Sequence, residues 1–117
     1  MTLADTSVWI QHFRTGLPEL AHLLREGQVL IHPIIIGELA TGNLHQRKAT
    51  LALLQNLPSA KAETDAECLA FLETHQLFGR GIGWNDLQLL VASRLSGARL
   101  WTLDQRLAST ARTFGHH

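Results

Sequence analysis

Apolar positions in this chain fall into short strand-like runs separated by stretches with helical spacing. The run ahead of Asp5 predicts a short strand over residues 2–5, with Asp5 at its C-terminal end. Thr6 and Ser7 are N-cap residue types, so a helix is expected through Phe13, and Gly16 closes that unit. Pro18 suits a first helical turn, Leu20, Leu23 and Leu24 share one face, and Gly27 supplies a stop. Val29 to Ile31 reads as a second buried strand. Pro33 opens the next helix, which carries Ile34 to Leu39 and is expected to end near Gly42-Asn43. Leu44, Leu51 and Leu54 share one face of a further helix closed by Pro58, and residues 59 to 63 read as a short strand or a loop. Thr64-Asp65-Ala66-Glu67 is a capping-box pattern, predicting a helix to about Phe78. Gly79, Gly81 and Gly83 form a flexible loop. Asn85 or Asp86 is the expected cap of a helix with Leu87, Leu90, Val91 and Leu95 at helical spacing, stopped by Gly97. Arg99 to Thr102 reads as a strand with Asp104 just beyond it, and a last helix runs from Gln105 to about Thr113.

Strands separated by helical segments imply parallel pairing through crossovers, and hence an α/β fold. Sheets of that kind place ligand sites beyond the carboxyl ends of their strands. Asp5 and Asp104 both occupy such positions, which singles out two carboxylates that topology brings towards one another.

Composition narrows the class. With 117 residues the chain fits one domain over 1–117, and its 45% hydrophobic and 17% charged residues describe an ordinary soluble globular protein. The single cysteine, Cys68, sits in a helical pattern beside Leu69, Phe71 and Leu72, and is expected to be a buried, inert thiol in a reducing compartment. The clear apolar run Ile34 to Ile36 is far too short to span a membrane, and no basic region precedes an apolar core at the N-terminus. A cytoplasmic protein without a membrane partner is expected. His116 and His117 are either native or a purification-tag remnant and are set aside.

Ten basic and ten acidic residues cancel, which counts against a protein that simply coats nucleic acid. The distribution is uneven. From Gly79 onward five arginines face only Asp86 and Asp104, whereas from Lys61 to His75 one lysine faces four acids. A basic C-terminal third is suited to guiding phosphate.

Each acid also has a plain structural explanation. Asp5 and Asp86 are candidate helix caps, Asp104 a turn residue, and Glu38 a solvent-facing position of an amphipathic helix. Two features weigh the other way. Glu38 is bounded by apolar residues with no neighbouring lysine or arginine, and Asp5 is followed closely by Val8, Trp9 and Ile10. Buried unpaired carboxylates are costly and repel each other, and a divalent cation offsets both effects. Such hard oxygen ligands suit Mg²⁺ or Mn²⁺. Zinc is a poorer fit, because Cys68 is alone and His12, His22, His32, His45 and His75 lack paired ligand spacing. Carboxylates with a hard cation point to hydrolysis of phosphate esters, nucleic acid among the possible substrates.

Four segments then resemble a known family. Leu3-Ala4-Asp5-Thr6-Ser7-Val8-Trp9-Ile10 resembles the opening of a PIN domain. Ile34-Ile35-Ile36-Gly37-Glu38-Leu39 is similar to its second acidic segment, Asp86-Leu87-Gln88-Leu89-Leu90-Val91-Ala92 to its third, and Leu100-Trp101-Thr102-Leu103-Asp104-Gln105-Arg106-Leu107 to its fourth. All four occur in family order across nearly the whole chain, and length and layout resemble bacterial toxins of the VapC type. The resemblance implies a three-layer α/β/α fold with a central parallel sheet of about four to five short strands. It implies an Mg²⁺- or Mn²⁺-dependent endoribonuclease, homodimeric and neutralised by a cognate VapB-type antitoxin. Leu107 stands where the family often has an aromatic, and the final edge strand is expected to be short or missing.

On this reading Asp5, Asp86 and Asp104 hold one or two metal ions, and Glu38 orients or deprotonates the attacking water or completes the second metal site. Thr6 and Thr102 donate supporting hydrogen bonds. Arg80 and Arg106 are candidate phosphate contacts, and Trp84 is either a core residue or a platform on which a base stacks. Rival readings are an inactive PIN-like RNA-binding or scaffold domain and a phosphoacceptor signalling domain. The latter wants a lysine at a late strand end, and neither Lys48 nor Lys61 fits. A dehalogenase-type phosphatase needs Asp-x-Asp, but Ser7 stands two residues after Asp5.

Overall fold

A computed structural model describes residues 1–114; His116 and His117 lie outside them. Three strands pair in parallel in the order β2-β1-β3, with β1 (Thr2–Ala4) central, β2 (Val29–Leu30) on one side and β3 (Arg99–Trp101) on the other. Seven helices are described: α1 (Thr6–Thr15), α2 (Pro18–Arg25), α3 (Pro33–Ala40), α4 (Arg47–Gln55), α5 (Asp65–Thr74), α6 (Trp84–Leu95) and α7 (Gln105–Thr113). The molecule is α/β, compatible with the three-layer PIN-like arrangement.

The chain leaves β1, crosses through α1 and α2 to β2 on one side, and returns through α3 to α6 to β3 on the other. The two crossovers therefore diverge from the C-terminal end of β1, the position at which open parallel sheets place their ligand sites. β1 is wholly buried because both its edges are paired, and Leu3, Ala4, Ile31, Ile35, Leu90 and Leu100 belong to the core around it. Leu107 is fully buried and fills its core position as an aliphatic residue.

Several boundaries differ from the local reading, each for an identifiable reason. The sheet has three strands, not four to five. Residues 59 to 63 add only an isolated parallel bridge between Ile31 and Ser59, with Ile31 N donating to Pro58 O at 2.9 Å and Ala60 N to Ile31 O at 2.8 Å. Beyond that bridge Glu63 is drawn to His32, and Thr64 at once caps α5. Helix α3 stops at Ala40, where Thr41 N donates to Gly37 O, and Leu44 precedes α4. Helix α5 ends at Thr74, not near Phe78, because Gln76 takes a left-handed conformation with φ 52°. The capping box at Thr64 is present with both reciprocal bonds. Cys68 is fully buried, and burial, then Glu63, Asp65 and Glu67, raise its thiol above the usual range, which keeps it a poor nucleophile.

One nearly buried pair anchors the start of α3. His32 Nδ1 accepts from Ile34 N at 3.0 Å, so the proton sits on Nε2, which donates to Glu63 with both carboxylate oxygens at 2.9 Å. Removing the ring both uncaps α3 and strands a carboxylate that is 8% exposed. His32→Ala is expected to cost about 2–3 kcal/mol of stability. Glu63→Gln, which keeps an acceptor for Nε2–H, is expected to cost less. Urea unfolding midpoints for the two variants check this order.

Candidate active site

β1 ends one residue before Asp5, and β3 ends one residue before Thr102. The register pairs Ala4 with Trp101, so the next residues of both strands emerge side by side. Asp5 N donates to Trp101 O at 2.9 Å, and Thr102 Oγ1 donates to Asp5 Oδ2 at 2.6 Å. Asp5 is 6% exposed. Its Oδ1 accepts from Ser7 N at 3.0 Å, from the Ser7 hydroxyl, and from Val8 N, so one oxygen caps α1 while the other faces β3. The cap of α1 is thus Asp5, and Thr6 and Ser7 lie inside the first turn.

Asp104 caps α7 in the same way, with Oδ1 accepting from Leu107 N at 3.0 Å. Its own N–H donates to Thr102 Oγ1 at 3.0 Å. Thr102 is therefore a two-way link, donating to Asp5 and accepting from Asp104. For Asp5 and Asp104 the capping role and a place at the strand ends coexist: a carboxylate has two oxygens, and the cap needs one.

Asp86 is not a cap. Gly83, extended at φ −87° and ψ 175°, caps α6, and Leu87 N donates to Gly83 O. Asp86 lies in the first helical turn, partly buried. Its carboxyl is held above the usual carboxylate range, first by burial and then by the negative charges of Asp104, Asp5 and Glu38, against which the Gly83 backbone pulls it down. Asp104, Asp5 and Glu38 are therefore each within electrostatic reach of Asp86, although α3, α6 and the two strand ends lie far apart in sequence.

Glu38 differs from its local reading. Ile35 and Leu39 face the core, but Glu38 itself is exposed, and it has a partner: Thr6 Oγ1 donates to its Oε1 at 2.7 Å. The apolar residues bracketing Glu38 belong to other faces of α3, so they do not bury it. Oε2 has no donor among the described residues. On one side of Glu38 a cleft of about 530 Å³ runs between α1 and the α3–α4 connection, lined by Ile10, Phe13, Leu39 and Leu44 among others.

No salt bridge neutralises any of these acids among the described residues; the ion pairs found there are His32–Glu63 and Arg99–Glu19. Among the described residues no three His, Cys, Asp or Glu side chains stand close enough together to hold a metal ion as they are placed. Trp84, at the start of α6, is 41% exposed and so is not a core residue. Arg80 is exposed on the glycine loop, and the Arg106 side chain lies over Gly81 in that same loop.

Sequence reasoning missed the part played by Ser7. Its hydroxyl donates to Asp5 Oδ1 and accepts from Leu103 N at 3.0 Å, tying the first turn of α1 to the turn after β3. The available signal was the position two residues after a strand-end aspartate, where a hydroxyl can fold back on the carboxylate.

No protein-family model matches the chain. It is, however, 42% identical to Ribonuclease VapC32 of Mycobacterium tuberculosis, over 98% of this chain and 94% of that protein, in strain CDC 1551 and equally in strain H37Rv. The chain belongs to the VapC family. In this VapC chain the acids of the family-like segments come from the ends of β1 and β3 and from α3 and α6. Asp5 and Asp104 each cap a helix and are joined through Thr102, whereas Glu38 is held by Thr6 on one oxygen alone.

Proposed function

We propose that this protein is an endoribonuclease toxin that hydrolyses RNA phosphodiesters with Mg²⁺ or Mn²⁺, and that a VapB-type antitoxin neutralises it. The observation that carries the reading is the convergence of Asp5, Glu38, Asp86 and Asp104 without a neutralising cation from the protein. At Asp86, which is partly buried and feels the other three charges, a positive charge would offset the cost. The donors are all hard oxygens, which fits Mg²⁺ or Mn²⁺. No three of these side chains are grouped for a metal as they stand, so the ion would be held by few of them at a time and keep several waters, as Mg²⁺ does.

Asp5, Asp86 and Asp104 would hold the metal, with Glu38 completing the set. When bound, the ion supplies neutralisation of phosphate charge and acidification of a bound water. The remaining work belongs to side chains of this chain. Glu38 has one oxygen held by Thr6 and the other without a donor, so it is suited to accept a proton from the attacking water. Thr102 and Ser7 fix Asp5, and Thr102 also holds the Asp104 backbone, so the strand-end acids need little reorganisation as charge develops. Hydrolysis in this sense leaves a 5′-phosphate and a 3′-hydroxyl. We also propose that the toxin acts as a homodimer and in the cytoplasm; no described helix is long and apolar enough to cross a membrane.

The test is cleavage of structured RNA by the purified protein. Activity is expected with Mg²⁺ or Mn²⁺, falling at least about tenfold on chelation and returning when the metal is restored. Cleavage that survives chelation would overturn the metal-dependent reading. Products with a 2′,3′-cyclic phosphate would overturn water as the nucleophile.

A further inference from the structure

We infer that Arg106, seated on Gly81, is an RNA-phosphate contact at the rim of the acidic crevice; this rests on the ribonuclease reading above. The need for such a residue is electrostatic. An RNA strand that approaches four carboxylates meets repulsion from each, and part of the offset must come from cations beside them. Arg106 stands two residues beyond Asp104, in the first turn of α7.

Its surroundings show how it is held. A Cβ built on Gly81 would stand 2.8 Å from Arg106 Nη1 and 3.0 Å from its Cδ, so the side chain lies directly against the glycine backbone. Gly81 also has φ +81°, which L side chains rarely adopt. Gly79 and Gly83 in the same loop have nothing within 4 Å of a Cβ position, so Gly81 alone of the three is covered. The loop runs into α6, which brings Asp86, and Arg106 thus bridges the loop leading to one acid and the helix capped by another.

The guanidinium is restrained but uncommitted. Among the described residues it forms no ion pair, and its N–H groups donate to no protein acceptor. A cation in the first turn of a helix also faces the positive end of the helix dipole, so its position is not explained by α7 itself. A side chain kept only for packing on Gly81 has no need of five N–H donors. A planar fork held by its stem with those donors free is suited to phosphate oxygens. Arg80, in the same loop, is exposed and is not among the atoms nearest to a Cβ position on Gly79, Gly81 or Gly83.

The test measures kcat and KM on a single-stranded RNA oligonucleotide at a series of KCl concentrations. The chains compared are wild type, Arg106→Gln, Arg106→Lys, Gly81→Ala and Arg112→Gln. Arg106→Gln is expected to raise KM about tenfold, the loss of one charge-assisted hydrogen bond. It is also expected to shallow the slope of log(1/KM) against log[KCl] by about 0.7, the value for one phosphate of a single strand. Arg106→Lys restores the slope but only part of KM, since a point charge replaces the fork. Gly81→Ala shifts KM in the same direction as Arg106→Gln. Arg112→Gln, an equal charge change at the far end of α7, leaves the slope unchanged. Thermal unfolding confirms that each variant is folded. If wild type cleaves RNA while Arg106→Gln keeps its KM and salt slope, the contact is overturned and the ribonuclease reading stands. An equal change in slope for Arg112→Gln also overturns it, because the effect is then one of overall charge. If wild type cleaves no RNA, the ribonuclease reading fails and Arg106's role falls with it.

Discussion

Asp5→Asn is expected to lower RNA cleavage by about 10³-fold while leaving the chain folded. The asparagine carbonyl can keep accepting from Ser7 N and Val8 N, so the cap of α1 survives. The amide that replaces Oδ2 points a donor at Thr102 Oγ1, where the hydroxyl now donates. The Thr102 hydrogen must rotate away so that Oγ1 accepts from the amide instead, an exchange that costs at most about 1 kcal/mol. The charge itself is what disappears, and with it the acid that topology places at the centre of the crevice. Asp5→Ala should match the loss of activity but unfold more readily, because it also removes the cap, worth about 1 kcal/mol. Single-turnover cleavage rates and urea midpoints for both variants separate the two roles of one side chain. An Asp5→Asn protein with near wild-type rates would remove Asp5 from the chemistry.

Asp86→Asn is expected to lose activity by about 10²-fold and yet to be more stable than wild type at neutral pH. The folded-state value of Asp86 is raised, first by burial and then by Asp104, Asp5 and Glu38. A carboxyl raised in this way binds its proton more tightly when folded than when unfolded. Its contribution to stability is therefore fully present in acid, below the unfolded value, and is lost as pH rises through the folded value. At neutral pH the ionised group opposes folding, and asparagine relieves that opposition. Asp86 is only partly buried, so solvent screens the effect to about 0.5–1 kcal/mol. The stability difference between Asp86→Asn and wild type should shrink as pH is lowered through the titration of Asp86. Equal stability of the two proteins at all pH values would mean that the four charges do not meet at Asp86.

Much of the local structure was legible in the sequence for a short-range reason. The Thr64–Glu67 capping box, the glycine stops at Gly16, Gly27 and Gly97, and proline at the start of α2 and α3 all act within one turn of chain. They lie where the pattern put them. The misplacements share the opposite character. Asn85 or Asp86 was expected as the cap of α6, but Gly83 takes that place, because an extended glycine can start the helix a turn earlier. For Glu38 the sequence left a solvent-facing position and an apolar setting open, and the structure takes the first, because a helix turns by about 100° per residue and its sequence neighbours do not bury it. Trp84 was weighed mainly as core, and only its place at the mouth of the glycine loop leaves it exposed.

By itself the sequence determined an α/β chain with acids just past two strand ends, because strand and helix periodicity and helix capping are encoded within a few residues. It also carried the family likeness. The tertiary structure decided which side chains meet. Register between β1 and β3 joins Thr102 to Asp5 across 97 residues and Ser7 to Leu103 across 96. The approach of α3 to α1 joins Glu38 to Thr6, and the fold of the glycine loop lays Arg106 on Gly81. It decided the size of the sheet as well, since residues 59–63 find a single bridge and then turn to His32. Contacts of this kind depend on register and packing between distant segments, which no local window of sequence contains.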